Sequence, residues 1–300
     1  MLSERTTGAS PPSPLNLMTT EKTKPHIPPG PKVKLLVFGV AFLMVLVPFL
    51  FWKGTWFGSV LSDQKLQEYL ESSARPRDTQ HALLQISEHL TRGQWEQARR
   101  WYPSILPLVT HPVPEVRNTL AWLMGQDAKQ AEFHQALTVL VKDANPLVRR
   151  NAALALVRFA DAQGRPELLD MLRPFTVTSP NAGVLRYRLK EDDSVDTGTL
   201  LARIETGAAE PVEVRSLLPG FVSEKLVQDG TTVTEGQNIL VLAPSDAQVW
   251  EALRGLYLVG QTEDLETIQT FTGKSAHFGE RTRQQARFTI EAIKKRSSGV

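Results

Sequence analysis

The sequence predicts an α+β chain of several domains: one transmembrane helix near the N-terminus, then an α-helical solenoid that flanks an all-β segment. Three observations carry this. An uncharged apolar run fills Leu35 to Trp52, a helical line recurs with a shift of 32 residues, and a β half-motif is written twice between Ser179 and Pro244. Three hundred residues can bury more than one core. A net charge of +2 offers no basic surface for nucleic acid, and the absence of cysteine excludes disulfides and thiolate chemistry.

Residues 1–32 carry Pro11, Pro12, Pro14, Pro25, Pro28, Pro29 and Pro31 among Ser, Thr and Gly, a composition with little to bury. A disordered tail is expected there. The apolar run, placed in a transmembrane helix over 33–57, spans about 27 Å as a helix, close to the hydrocarbon thickness of a bilayer. A cleaved signal peptide fits less well, because the polar leader is long and no small-x-small site follows in Lys53-Gly-Thr-Trp-Phe. Trp52, Trp56 and Phe57 suit the far headgroup layer. Lys22, Lys24, Lys32 and Lys34 precede the run, whereas Lys53 and Lys65 follow, which places the N-terminus inside and the bulk outside. The expectation is a single-pass protein of the bacterial inner membrane, its N-terminus cytoplasmic and its bulk periplasmic. A linker is expected over 58–78.

Helical periodicity then runs over 79–173. Thr110-His-Pro-Val-Pro-Glu-Val-Arg117 and Lys142-Asp-Ala-Asn-Pro-Leu-Val-Arg149 superpose with a shift of 32, Pro114 on Pro146 and Ala121 on Ala153. Two helices per unit of this size form a stacked solenoid, since each pair alone leaves an apolar stripe wet. Proline suits the first turn of a helix, where its missing N–H is one left unpaired anyway. The line resembles HEAT-type repeats, whose second helix opens Asp-x-x-Pro-x-Val-Arg. The resemblance implies a charged ladder between repeats, with Asp143 six residues before Arg149, and His111 and His277 in the aspartate's place before Arg117 and Arg283. The spacing recurs in His277…Arg283-Gln-Gln-Ala286, so the helical array is expected to resume over 245–297, with the β segment inserted between repeats.

The β segment, over 174–244, has halves that begin at Gly183 and Gly220. Each has an apolar-alternating run (Val184, Tyr187, Leu189; Val222, Leu226), an acidic or glycine turn, Val195 or Val233, then Gly198 or Gly236 and a second strand. Period-two alternation broken by turn residues marks half-buried strands, and the glycines supply positive φ. Either half alone leaves a face wet; two packed together close a core. This doubled pattern resembles the barrel-sandwich domain of biotinyl and lipoyl carriers and of haemolysin-D-type periplasmic adaptor, or membrane-fusion, proteins. Carriers need an amine at the tip of the hairpin between the halves. Here that connection, Ile204 to Arg215, has no lysine, and Lys190 and Lys225 lie elsewhere, so no cofactor-binding residue and no cofactor is expected.

No other chemistry is legible. His81 and His89 stand eight apart, His111, His134 and His277 are isolated, and no His-Glu-x-x-His pairs two ligands, so no metal site is expected. Glu191, Asp192 and Asp193 read as turn residues rather than a calcium loop. Neither a phosphate-binding loop nor a nucleophile elbow occurs, so no catalytic residue and no enzyme is expected. Trp95, Trp101, Tyr102 and Trp122 are read as core. The expected function is that of a membrane-anchored extracytoplasmic scaffold or adaptor that binds protein partners in an envelope transport or export assembly, with homo-oligomers possible. The alternatives are a carrier-like accessory of an enzyme complex and a cell-wall-binding envelope protein.

Overall fold

The computed structural model describes residues 31–54, 60–72 and 74–299, and in its first helix the side chains of 38–49. Residues 1–30 of the expected tail, Trp56, Phe57 and the side chain of Trp52 lie outside the described residues. The chain divides into two compact units, 1–59 and 60–300.

In the first unit, helix α1 runs Pro31–Gly54 with Pro48 inside it. Phe38, Phe42, Met44 and Val45 are each at least 63% exposed. Among the described residues no helix is long and apolar enough to cross a membrane, and the expected span over 33–57 reaches beyond the described side chains of α1 at both ends.

The second unit opens with α2 (Asp63–Glu71), α3 (Pro76–Thr91), α4 (Trp95–Arg99), α5 (Tyr102–Ile105), α6 (Pro114–Met124), α7 (Ala131–Leu140), α8 (Pro146–Arg158) and α9 (Arg165–Asp170). After the strands come α10 (Asp246–Val259), α11 (Leu265–Gln269) and α12 (Glu280–Ser297). Helices α3, α6, α8, α10 and α12 stack in that order as the second helices of successive pairs, and α2, α4–α5, α7, α9 and α11 cover them as a second layer. The expected linker over 58–78 is corrected: α2 lies inside it, capped by Ser62, with Leu66 and Leu70 buried in the same core as Ala82, Leu83 and Ile86 of α3. A short polar stretch hides a helix of two and a half turns, because two leucines four apart suffice to seat it.

Pro114 and Pro146 both occupy the first turn of their helices, and the Asn145 side chain accepts from the Leu147 N–H at 2.9 Å. Helix α8 is apolar on two faces because it sits between neighbours. Val148, Ala152 and Leu156 enter the core shared with α3 and α6, whereas Ala153 and Val157 enter the core shared with α10 and α12. Small residues set the spacing: a Cβ on Gly164 would lie 2.7 Å from the Ala153 Cα.

The strands are β1 (Phe175–Thr178), β2 (Gly183–Tyr187), β3 (Ser194–Val195), β4 (Leu200–Glu205), β5 (Val212–Arg215), β6 (Gly220–Lys225), β7 (Thr232–Val233) and β8 (Asn238–Pro244). They form two antiparallel sheets, ordered β1-β8-β6-β3 and β5-β4-β2-β7. Advancing every strand by four positions turns one order into the other, so the doubled sequence is a doubled topology. The symmetry extends to details. The equivalent strands β4 and β8 slip register at matching places, β4 beside Leu201 and β8 beside Ile239, and Asp192 and Gly230 share positive φ as do Gly198 and Gly236. One core holds Leu185, Ile204, Val214, Val222, Val233 and Leu242.

Inward pointing begins at Leu185 rather than Val184, while Leu226 is 41% exposed. The slip has a cause. Strand β6 pairs Val222 with Leu242 and Glu224 with Val241, leaving Ser223 as an extra residue, so the two halves align with one offset before it and another after it. The insertion point also differs from expectation. Helix α9 packs on α8 and α10 as α7 packs on α6 and α8, so the β module replaces the turn inside one helical pair rather than joining two repeats.

Candidate docking groove

The arginine and aspartate positions singled out by sequence are brought into one line along the turns of the pairs. Arg117 donates from Nε and Nη2 to both oxygens of Asp143, at 2.6 and 2.8 Å, and from Nη1 to the His111 carbonyl at 2.6 Å. Arg149 repeats the second contact on the Asp143 carbonyl at 2.9 Å, but its Nε goes to Glu167 of α9 at 2.9 Å. The Asp143 carboxylate therefore serves the arginine of the preceding pair, not the arginine six residues after it. The Arg117 hydrogen bonds hold the Asp143 carboxyl below its ordinary range, and the Asn145 N–H adds to this against the opposing effect of burial.

Arg283 keeps the carbonyl contact, to Phe278 at 2.7 Å, but its carboxylate is Glu280 of its own helix. His277 stands outside the line and stacks on Phe221 of β6 with ring centroids 4.0 Å apart. Where the β module displaces the turn, other polar groups join the pairs. Arg165 donates to both oxygens of Asp264 at 2.8 and 2.6 Å. Buried Arg150 reaches Gln248 Oε1 at 2.7 Å, and Gln248 in turn donates to the Met171 carbonyl at 2.8 Å. Burial pushes the Arg150 guanidinium down to about 10, which leaves it charged at neutral pH. These residues give the array rigidity; they form no open site.

The open surface lies on the second helices. Two adjoining cavities of about 500 and 630 Å³ share Arg254 and Leu258 and run from Trp122 of α6 across α8 and α10 to Phe288 of α12. Trp122, Leu258 and Phe288 are 47, 56 and 48% exposed, at positions that would otherwise need no large apolar group. Around them stand Arg158, Arg254 and Lys295, with Glu251 and Glu291 between. No described ion pair engages any of these five, and only Arg254 has another partner, the Trp250 ring at 4.6 Å. Helical spacing makes the row: Glu251, Arg254 and Leu258 fall on one face of α10, and Gln285, Phe288 and Lys295 on one face of α12.

The reading of all four aromatics as core is corrected. Trp101 and Tyr102 are buried, but Trp95 at the start of α4 and Trp122 in the last turn of α6 are exposed, each lining a cavity. The groove is not legible in any one stretch of sequence because its residues come from four helices. The available signal was an excess of large apolar side chains on the outer face of α10 and α12. Among the described residues no group of three or more His, Cys, Asp or Glu is placed to hold a metal ion.

This paired, stacked geometry coincides with a family pattern. Residues 102–188 match HEAT repeats. The HEAT match covers α5 to α9 and its last stretch falls on β1 and β2, where the chain has left the helical array. No curated protein matches the chain.

Proposed function

We propose that this protein is a noncatalytic scaffold or adaptor, anchored in the bacterial inner membrane by α1 with its N-terminus cytoplasmic, whose periplasmic portion binds a partner protein in the groove of the second helices. HEAT repeats commonly mediate protein–protein interaction, and stacked pairs present long surfaces suited to it. The carrying observation is the exposed row Trp122, Leu258 and Phe288, flanked by Arg158 and Lys295, which have no ionic partner among the described residues. The occupant that fits is an amphipathic helix of a partner, apolar on the seated face and carrying carboxylates for Arg158 and Lys295. Anchoring is supported by the exposed apolar side chains of α1 and by the uncharged run of which they are part. Protease protection in spheroplasts tests it: the anchored arrangement exposes residues 60–299 to added protease, and full protection contradicts it.

A second reading has its own support. The two-sheet topology related by a four-strand advance is what the resemblance to biotinyl and lipoyl carriers and haemolysin-D-type adaptors implies. The hairpin between β4 and β5 presents Thr206 to Pro211 without an amine, which favours the adaptor form over the carrier form. Intact mass after expression with biotin and lipoate separates the two: the bare polypeptide mass supports the adaptor, and an added acyl mass supports the carrier.

A further inference from the structure

A separate cavity of about 560 Å³ opens at the other edge of the array, between the α3–α4 turn and the α6–α7 turn. It does not share a residue with the groove. The α3–α4 turn is fixed by a helix stop at Gly93, φ +73°, where the Gly93 N–H donates to the Leu90 carbonyl at 3.0 Å and the Gln94 N–H to the His89 carbonyl at 2.8 Å. That stop sends Trp95 to the cavity wall, 40% exposed, although Trp101 six residues on is 7% exposed.

The floor is Asp127, 3% exposed. Its Oδ2 accepts from Tyr102 Oη at 3.0 Å, Gln130 Nε2 at 3.1 Å and Arg99 Nε at 3.3 Å. Among the described residues, nothing donates to Oδ1. Gln97 and Lys129 also line the cavity with no described partner, and Gln94 uses only Oε1, toward His89 Nδ1 at 2.7 Å, so its amide N–H groups are free. The charged groups of the wall cancel, Glu96 and Asp127 against Arg99 and Lys129.

An open indole face, unused amide donors and acceptors, and a carboxylate oxygen to which no described residue donates make a specific chemical demand. A phosphate or a carboxylate would meet Asp127 and Glu96 with no surplus cation to offset them. An apolar ligand would leave Oδ1 and the amides unpaired, which is costly away from water. A neutral polyhydroxylated ring satisfies all three: its C–H face lies on the electron-rich indole, and its hydroxyls donate to Asp127 Oδ1 and exchange hydrogen bonds with Gln94 and Gln97. The volume falls in the range of small-molecule sites. We propose that this cavity is a binding site for a neutral saccharide, independent of the groove.

The test is saturation-transfer NMR on the full chain, in a detergent without a sugar headgroup, with N,N′,N″-triacetylchitotriose, maltotriose and inorganic phosphate as probes. At least one neutral trisaccharide is expected to bind with a dissociation constant of about 1 mM or tighter. Trp95→Ala and, separately, Gln97→Ala are expected to weaken it about ten-fold or more, with an unchanged melting curve for Gln97→Ala, whose exposed side chain has no described hydrogen-bond partner. The proposal is overturned if neither trisaccharide binds, if binding survives both substitutions, or if phosphate alone binds in a manner sensitive to Gln97→Ala. Groove variants at Leu258 should leave saccharide binding untouched, so failure here and failure of the docking reading are distinguishable.

Discussion

Arg117 and Asp143 meet with side chains only 15% and 9% exposed, so each depends on the other for the hydrogen bonds that water no longer supplies. Asp143→Asn removes the charge but keeps the shape, and is expected to cost about 2 kcal/mol in urea unfolding. The pH dependence has a definite sign. The folded carboxyl titrates below its unfolded value, so its contribution is fully present above the unfolded pKa of about 3.9 and is lost as pH falls through the lower folded value. Wild-type stability should therefore fall more steeply than that of Asp143→Asn across the acid limb, and parallel curves would contradict the pairing. Gln248→Leu tests the other polar joint: it leaves Arg150 buried with only Glu167, 3.6 Å from its Nε, and is expected to cost about 2–3 kcal/mol. An unchanged midpoint would remove Gln248 from the account.

Pair by pair, α8 and α9 approach at Gly164, whose hydrogen points at the Ala153 backbone. Gly164→Ala overpacks that crossing and is expected to cost about 2 kcal/mol in the same unfolding assay. The β module makes a different prediction. Its first and last strands pair Phe175 with Leu242, so entry and exit lie side by side. The contacts that join the helices across it, Arg165 to Asp264 and Arg150 to Gln248, lie outside it. Replacing 174–244 with a short Gly-Ser turn should leave α8 to α12 folded, with a cooperative melt; loss of helical circular dichroism would contradict an insertion within a pair. The doubling of the β half-motif was legible because glycine and valine recur at fixed distances in one local stretch. Helix α2 was not, since its two leucines gain meaning only against α3. Ser223 was not either, because one extra residue in β6 is invisible until β8 sets the register. The place of the insertion was hidden for the same reason: which turn of the array it replaces depends on helix contacts far apart in sequence.

Across the whole chain, the stacked pairs turn four separate helices into one surface, and Trp122, Leu258 and Phe288 sit in it uncovered. The recurrence of Arg117, Arg149 and Arg283 was legible in the sequence, but the pairing of Asp143 with Arg117 was not, and neither was the groove, because its lining is shared among four helices. Its test is site-specific photocrosslinking in intact membranes, with a photoreactive residue at Leu258 and a control at Val139 of α7, which is 58% exposed on the other layer. A discrete adduct is expected from position 258 that maps to an acidic amphipathic segment, is at least ten-fold weaker in the Arg158→Glu, Lys295→Glu double variant, and is absent from position 139. Equal adducts from both positions, or an adduct indifferent to those charge reversals, would contradict docking in the groove.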